Sequence, residues 1–127
     1  MRYYIDTSAA AKLLIQEPET IALYDLLDSS QPHLVSCYLL ETELRRAAQN
    51  HGLSQVAVST LLDDIDLYEV SPQVFRSAGL LATPGLRSLD AIHLASATRL
   101  GIDAVITYDK RMTDGAHDLG YPVLAPA

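Results

Sequence analysis

Arg2-Tyr3-Tyr4-Ile5-Asp6-Thr7-Ser8-Ala9-Ala10 is the stretch that decides how this chain folds. Arg2 to Ile5 is a short β-type run, and Asp6, Thr7 and Ser8 then offer side-chain oxygens that cap a helix. Ala9 to Gln16 favours helix, and Pro18 terminates it. A strand thus runs straight into a helix, with an acid at the junction.

The same alternation continues outward from this segment. Glu19 to Leu27 reads as a helix with Ile21, Leu23, Tyr24 and Leu27 as its apolar set, and His33 to Val35 reads as a strand. Ser36 is expected to cap a long helix that ends near Gly52, the favoured residue just past a helix C-terminus. Ser54 begins a helix reaching about Ile65, and Leu67 to Val70 is a short strand. Ser71-Pro72 has the cap-then-proline order of another helix start, closing near Ala82. After the Thr83-Pro84-Gly85 turn, Ser88 caps a helix over Leu89 to Leu100. Ala104 to Thr107 is a β-branched strand, Lys110 to Leu119 is helical, and Pro122 to Leu124 is a last edge strand.

Strands separated by helices must mostly run parallel, because each connection is a crossover. The expected fold class is therefore α/β: a three-layer α/β/α sandwich with a central, mostly parallel sheet. Nothing resembling a linker, a run of like charge or an internal repeat divides the chain, so residues 1–127 read as a single domain. A chain of 127 residues is long enough to bury roughly two-thirds of its unfolded surface.

Composition excludes several classes. With 49% hydrophobic and 20% charged residues, the sequence is neither disordered nor low-complexity. A single cysteine excludes an intrachain disulfide framework, and Cys37 is expected to be a reduced structural thiol. No apolar run approaches the ~20 residues of a membrane span, and the start lacks a basic segment followed by an apolar one. The expectation is a cytoplasmic protein with no membrane partner. Sixteen acidic against nine basic residues give a net charge of -7, which repels phosphate as a whole. A polyanionic substrate would need a basic patch or a bound cation.

The carboxylates decide between these. Asp6 follows the first strand directly, and Asp109 follows Ala104 to Thr107 with one residue between, so a parallel sheet places both at one edge, where α/β sheets bind ligands. Asp90 lies in the first turn of an otherwise apolar helix, on a polar stripe with His93, Ser96 and Arg99. Glu43 lies mid-helix in LLETELRRAA. Taken singly, each has an ordinary explanation: a helix cap, or ion pairs such as Glu43 with Arg46 and Glu41 with Arg45. Together they would repel one another unless a counter-charge intervened. All-oxygen ligation selects a hard cation, Mg2+ or Mn2+, over Zn2+. Such a centre hydrolyses phosphodiesters by activating water. Thr7, Ser8 and Thr107 would hold carboxylates or waters, or serve only as caps and strand packing. His93 reads as an interior histidine with no partner at metal-ligand spacing.

Four segments in order carry a resemblance: YIDTSA at Tyr4 to Ala9, TELRRA at Thr42 to Ala47, SLDAIHLA at Ser88 to Ala95 and TYDKRM at Thr107 to Met112. The chain resembles the PIN-domain ribonucleases over residues 3 to 124, and among them the VapC-type toxins of bacterial toxin-antitoxin pairs. Carried over residue by residue, the family's acidic quartet falls on Asp6, Glu43, Asp90 and Asp109, as catalytic and metal-binding groups for Mg2+, with Mn2+ able to substitute. The resemblance further implies endonuclease action on RNA, often transfer or ribosomal RNA, a homodimer, and a small VapB-like antitoxin. Asp114 matches an acid found in some members only and stays outside the site.

Other readings stay open at this point. A non-catalytic PIN-fold RNA-binding or regulatory protein would keep the fold without cleavage. A phosphorelay receiver needs paired acids after its first strand, and a dehalogenase-like phosphatase needs a second Asp where this chain has Ser8. Lys12, Arg45, Arg46, Arg87, Arg99, Lys110 and Arg111 are the cations available to meet RNA, with Arg45, Arg46, Lys110 and Arg111 next to the acids in sequence. An antitoxin would place an Arg among the carboxylates and need an apolar groove, for which Leu13, Leu14, Ile21 and Tyr24 are candidates.

Overall fold

The structure, a computed structural model, describes residues 1–127. Its elements run β1 (Arg2–Ile5), α1 (Thr7–Ala11), α2 (Thr20–Ser30), β2 (His33–Cys37), α3 (Leu39–His51), α4 (Gln55–Leu62), β3 (Asp66–Tyr68), α5 (Pro72–Gly79), α6 (Ser88–Thr98), β4 (Ala104–Ile106), α7 (Lys110–Asp118) and β5 (Val123–Leu124). The five strands form one sheet in the order β3-β2-β1-β4-β5. All four pairings are parallel, with Tyr4 opposite Val35 on one side and Val105 on the other.

Alternation along β1 builds the three layers. Tyr3 and Ile5 join the core formed with Ala9, Ala10, Leu23, Leu40, Leu44 and Val58 of the helices on one face. Tyr4 points the other way, with Val35 and Val105, onto Leu94, Met112 and Ala116 of α6 and α7. Both faces of the central strand are therefore buried, as a parallel sheet requires. Strand order reverses at β1: the chain first builds outward to β2 and β3, then returns to add β4 and β5 on the opposite side. The crevice beyond the C-terminal ends of β1 and β4 is the switch point of the sheet. α7 packs closely on α6, since a Cβ at Gly115 would collide with Leu94 Cδ1. No helix is long and apolar enough to cross a membrane.

Element boundaries depart from expectation where tertiary contacts outweigh local preference. Ser36 is not a cap: it lies within β2, paired with Leu67 of β3, fully buried, its Oγ without a partner. α3 begins instead after Tyr38, which makes no side-chain cap. α1 starts two residues earlier than expected, because the Asp6 carboxylate caps it by accepting from Ala9 N–H at 3.1 Å. It also stops early. Thr20 Oγ1 donates to the Lys12 carbonyl at 2.8 Å and Lys12 Nζ reaches Glu17 and Glu19, which turns the chain before Pro18. α6 begins at Ser88 rather than after it, with Arg87 as the flanking residue.

Candidate active site

Asp6 lies where β1 becomes α1 and is only 3% exposed. Its Oδ1 accepts from Ser8 Oγ at 2.7 Å as well as from Ala9 N–H, and its Oδ2 accepts from Thr107 Oγ1 at 2.5 Å. Burial raises its pKa, and the bonds from Thr107 and Ser8 oppose that rise. Thr107 Oγ1 also accepts the Asp109 N–H at 3.1 Å, while Ser8 Oγ accepts the Tyr108 N–H at 3.0 Å. The loop after β4 is thus stitched to the loop after β1.

Asp109 caps α7, its Oδ1 accepting from Met112 N–H at 3.1 Å. Asp90, in the first turn of α6, accepts from Arg87 N–H through Oδ2 at 3.3 Å. Burial raises the Asp90 pKa and the Asp109 charge raises it further, against the Arg87 backbone and His93. Three of the four acids therefore sit at helix N-termini, where the helix dipole favours a negative charge. Capping a helix and lying at its positive end are one arrangement for these three acids.

Glu43 projects from α3. It makes no ion pair with Arg46, whereas Glu41 and Arg45 pair at 3.3 Å. Both donors to Glu43 reach the same oxygen: Thr7 Oγ1 at 2.6 Å and His93 Nε2 at 2.7 Å bind Oε1. Burial would raise the Glu43 pKa, but these bonds, chiefly from His93, hold it below the usual carboxylate value. His93 is 3% exposed, and its Nδ1 shares a 2.7 Å hydrogen bond with the Tyr4 hydroxyl. Burial disfavours the imidazolium, yet the bonds to Cys37 and Glu43 push its pKa up to about 10. Cys37 is a free buried thiol 3.8 Å from Nδ1.

The polar stripe of α6 does not act as one unit. Asp90 and His93 face the acidic cluster, Ser96 is buried with an unpartnered Oγ, and Arg99 is exposed. Asp114 is exposed and pairs with Lys110 at 3.2 Å. Tyr4 escaped the sequence reading, although it lies two residues before Asp6 in β1.

The donors at this edge of the sheet are oxygens, and Cys37 is shut away behind His93, so the set suits a hard cation rather than a thiophilic one. No group of three or more acidic, histidine or cysteine side chains is drawn into a ready-made cage. Mg2+ retains several waters and takes only one or two carboxylates directly, so it needs no such cage.

A family model described as "PIN domain" matches residues 3–117. Ribonuclease VapC46 of Mycobacterium tuberculosis strain H37Rv is 44% identical over 127 residues, covering 98% of this chain and 97% of that protein. Ribonuclease VapC47 of strain CDC 1551 is 35% identical over 130 residues, covering 97% and 96%. Among solved structures, VapC20 of M. tuberculosis, described as a toxin cleaving the sarcin-ricin loop, superposes with a TM-score of 0.78 at 16% identity, over 98% and 99% of the two chains. VapBC2 of Rickettsia felis, bound to a promoter DNA fragment, gives 0.74 at 14% identity over 100% of both. These two likenesses bear on the fold, and the sequence relatives on the lineage: this chain belongs to the PIN domain family, among its VapC-type members.

Proposed function

We propose that this protein is an endoribonuclease dependent on Mg2+, with Mn2+ able to replace it, and that it is the toxin of a toxin-antitoxin pair. The observation that carries the reading is that Thr107 ties Asp6 to the Asp109 loop, where the Asp109 charge also acts on Asp90, in a chain whose relatives are named ribonucleases. Glu43 Oε2, Asp90 Oδ1 and Asp109 Oδ2 make no hydrogen bond within the protein and point to the donor set that would hold the cation. When bound, the cation lowers the pKa of water and offsets phosphate charge.

The residues of the chain do the positioning. Thr107 and Ser8 clamp both oxygens of Asp6, and Thr107 couples that clamp to the Asp109 loop. Thr7 and His93 orient Glu43. The site is acidic, so the RNA must be met by cations outside it. Arg46, Arg87 and Arg111 are exposed and make no ion pair, whereas Lys12 is buried against Glu17 and Glu19, and Arg45 is tied to Glu41, Gln55 and Ser59. The substrate class is RNA, with structured transfer or ribosomal RNA as the targets the family resemblance implies.

A small antitoxin would seat an apolar segment in the open groove of about 670 Å³ lined by Leu13, Leu14, Tyr24, Leu27 and Leu61. Ile21, at 67% exposure, lies outside that lining. Asp28 and Asp64 edge the groove, so a basic residue on the partner would complement it. A toxin-antitoxin complex from Klebsiella pneumoniae, of similar fold at a TM-score of 0.75 and 21% identity, supports a partner of this kind. Phe75, Leu80 and Leu89, all exposed, are where a second copy would bury apolar surface in a homodimer. We place the protein in the cytoplasm, acting as one domain.

Incubation of purified protein with transfer and ribosomal RNA, with Mg2+ or with chelator, tests the reading. Mg2+-dependent cleavage that is lost in Asp6→Asn supports it. Cleavage that persists in chelator, or equal cleavage by Asp6→Asn, overturns the cation-site assignment.

A further inference from the structure

We propose that His93 is a positioning residue that acts from inside the core by setting which oxygen of Glu43 faces the site. The proposal rests on the cation-dependent reading above. At 3% exposure His93 cannot meet an RNA substrate, so any effect it has must pass through a neighbour. That neighbour is defined by distance: Nε2 lies 2.7 Å from Glu43 Oε1.

The arrangement is asymmetric in a useful way. His93 and Thr7 both donate to Oε1, so that oxygen is saturated and Oε2 is left without a hydrogen bond. A glutamate on a helix has three rotatable bonds, and a single neutral hydroxyl would leave it free to exchange its two oxygens. Two donors from different elements remove that freedom, so the ordering cost is met during folding rather than at cation binding.

His93 is itself held in place. Its Nδ1 shares a hydrogen bond with Tyr4, and the two rings stack edge-on with centroids 5.7 Å apart at 77°. Tyr4 is wholly buried in the central strand. β1 thus carries Tyr4 and leads directly into Asp6, α6 carries His93 and Asp90 on one helical face, and α3 carries Glu43. The chain Tyr4–His93–Glu43 links β1, α6 and α3 and holds the Glu43 carboxylate against them.

Two substitutions separate the nitrogens. The Gln amide nitrogen projects to the place of Nε2 and the Asn amide only to that of Nδ1, so His93→Gln keeps the donor to Glu43 and His93→Asn loses it. Titration of Mn2+ into RNA-free protein is expected to show His93→Asn weakened about 10–100-fold and His93→Gln within about threefold of wild type. The Mg2+ concentration that half-saturates cleavage should shift in the same order. In a Glu43→Gln background, adding His93→Asn should weaken Mn2+ binding no further, because the two act through one carboxylate. Wild-type Mn2+ affinity in folded His93→Asn, equal damage by Gln and Asn, or additive effects with Glu43→Gln would each overturn the proposal.

If circular dichroism shows that His93→Asn does not fold, Tyr4→Phe takes its place, since it keeps the ring and removes only the hydroxyl behind Nδ1. A severalfold loss of Mn2+ affinity supports the chain, and unchanged affinity refutes it. Asp6→Asn and Glu43→Gln serve as controls. If neither alters Mn2+ binding, the cation-site reading itself fails and takes this proposal with it; if both do and His93→Asn does not, only the positioning role falls.

Discussion

Thr107 Oγ1 donates to Asp6 Oδ2 at 2.5 Å, a contact between residues 101 positions apart that joins the ends of β1 and β4. The same hydroxyl oxygen accepts the Asp109 N–H. One fully buried side chain therefore governs two of the acids.

Thr107→Val keeps the shape and removes both bonds. It should destabilise the fold by about 1–3 kcal/mol, because a partly buried N–H and a buried carboxylate lose their partner. Cleavage should fall as well. Thr107→Ser retains the hydroxyl and should restore most of the activity, as measured by urea unfolding and RNA cleavage on the same preparations.

Removing the cation is the second test. A ligand at 100 times its dissociation constant stabilises the native state by about 2.7 kcal/mol. Mg2+ or Mn2+ should therefore raise the melting temperature relative to chelator, and monovalent salt should do so far less. An equal rise in Asp6→Asn would refute a site that includes Asp6.

The raised pKa of Asp6 has a definite sign. In the cation-free protein the folded state holds the Asp6 proton more tightly than the unfolded chain does. Stability from this group is then fully present below the unfolded value and is lost as pH rises through the folded one. In chelator, Asp6→Asn should be more stable than wild type at neutral pH, and the gain should shrink on acidification toward the usual aspartate range near 4. A gain that is constant with pH would contradict a buried, cation-free carboxylate. Added Mg2+ should reverse the order of the two proteins.

RNA affinity tests the unpaired arginines. Arg87 precedes Asp90 at the start of α6, and Arg111 follows Asp109 in α7; neither is ion-paired. Replacing both with Ala should weaken binding and reduce the slope of affinity against salt by about 1 for each phosphate these side chains neutralise. Arg45→Ala should change RNA binding little and stability slightly, since its guanidinium is committed to Gln55 and Ser59. The opposite ranking, read by filter binding at several salt concentrations, would move the RNA face to the α3–α4 side.

Much of this architecture is legible in the sequence alone. Asp6 follows β1 directly and Asp109 follows β4 after Thr107 and Tyr108, so parallel pairing alone brings them to one edge. Ser54 and Ser71 cap α4 and α5 as their sequence contexts require, and Gly52 ends α3 at a φ of 65°. These features depend on interactions within a few residues. Ser36 shows where that reasoning stops. Its capping preference is weak against ladder bonds to β3, a strand some thirty residues further along the chain. The cations near the acids illustrate the same limit: nearness in sequence to Glu43 did not reveal that Arg45 turns toward α4.

What the sequence determined by itself was the alternation of strands and helices, the parallel sheet this compels, and the edge at which Asp6 and Asp109 lie. Short-range propensity and crossover topology suffice for that. Only the tertiary structure decided that His93 faces Glu43, that both donors to Glu43 share one oxygen, and that Thr107 spans two loops. Those choices depend on side-chain rotamers packed between elements far apart in the chain, and no local pattern encodes a distance across a core.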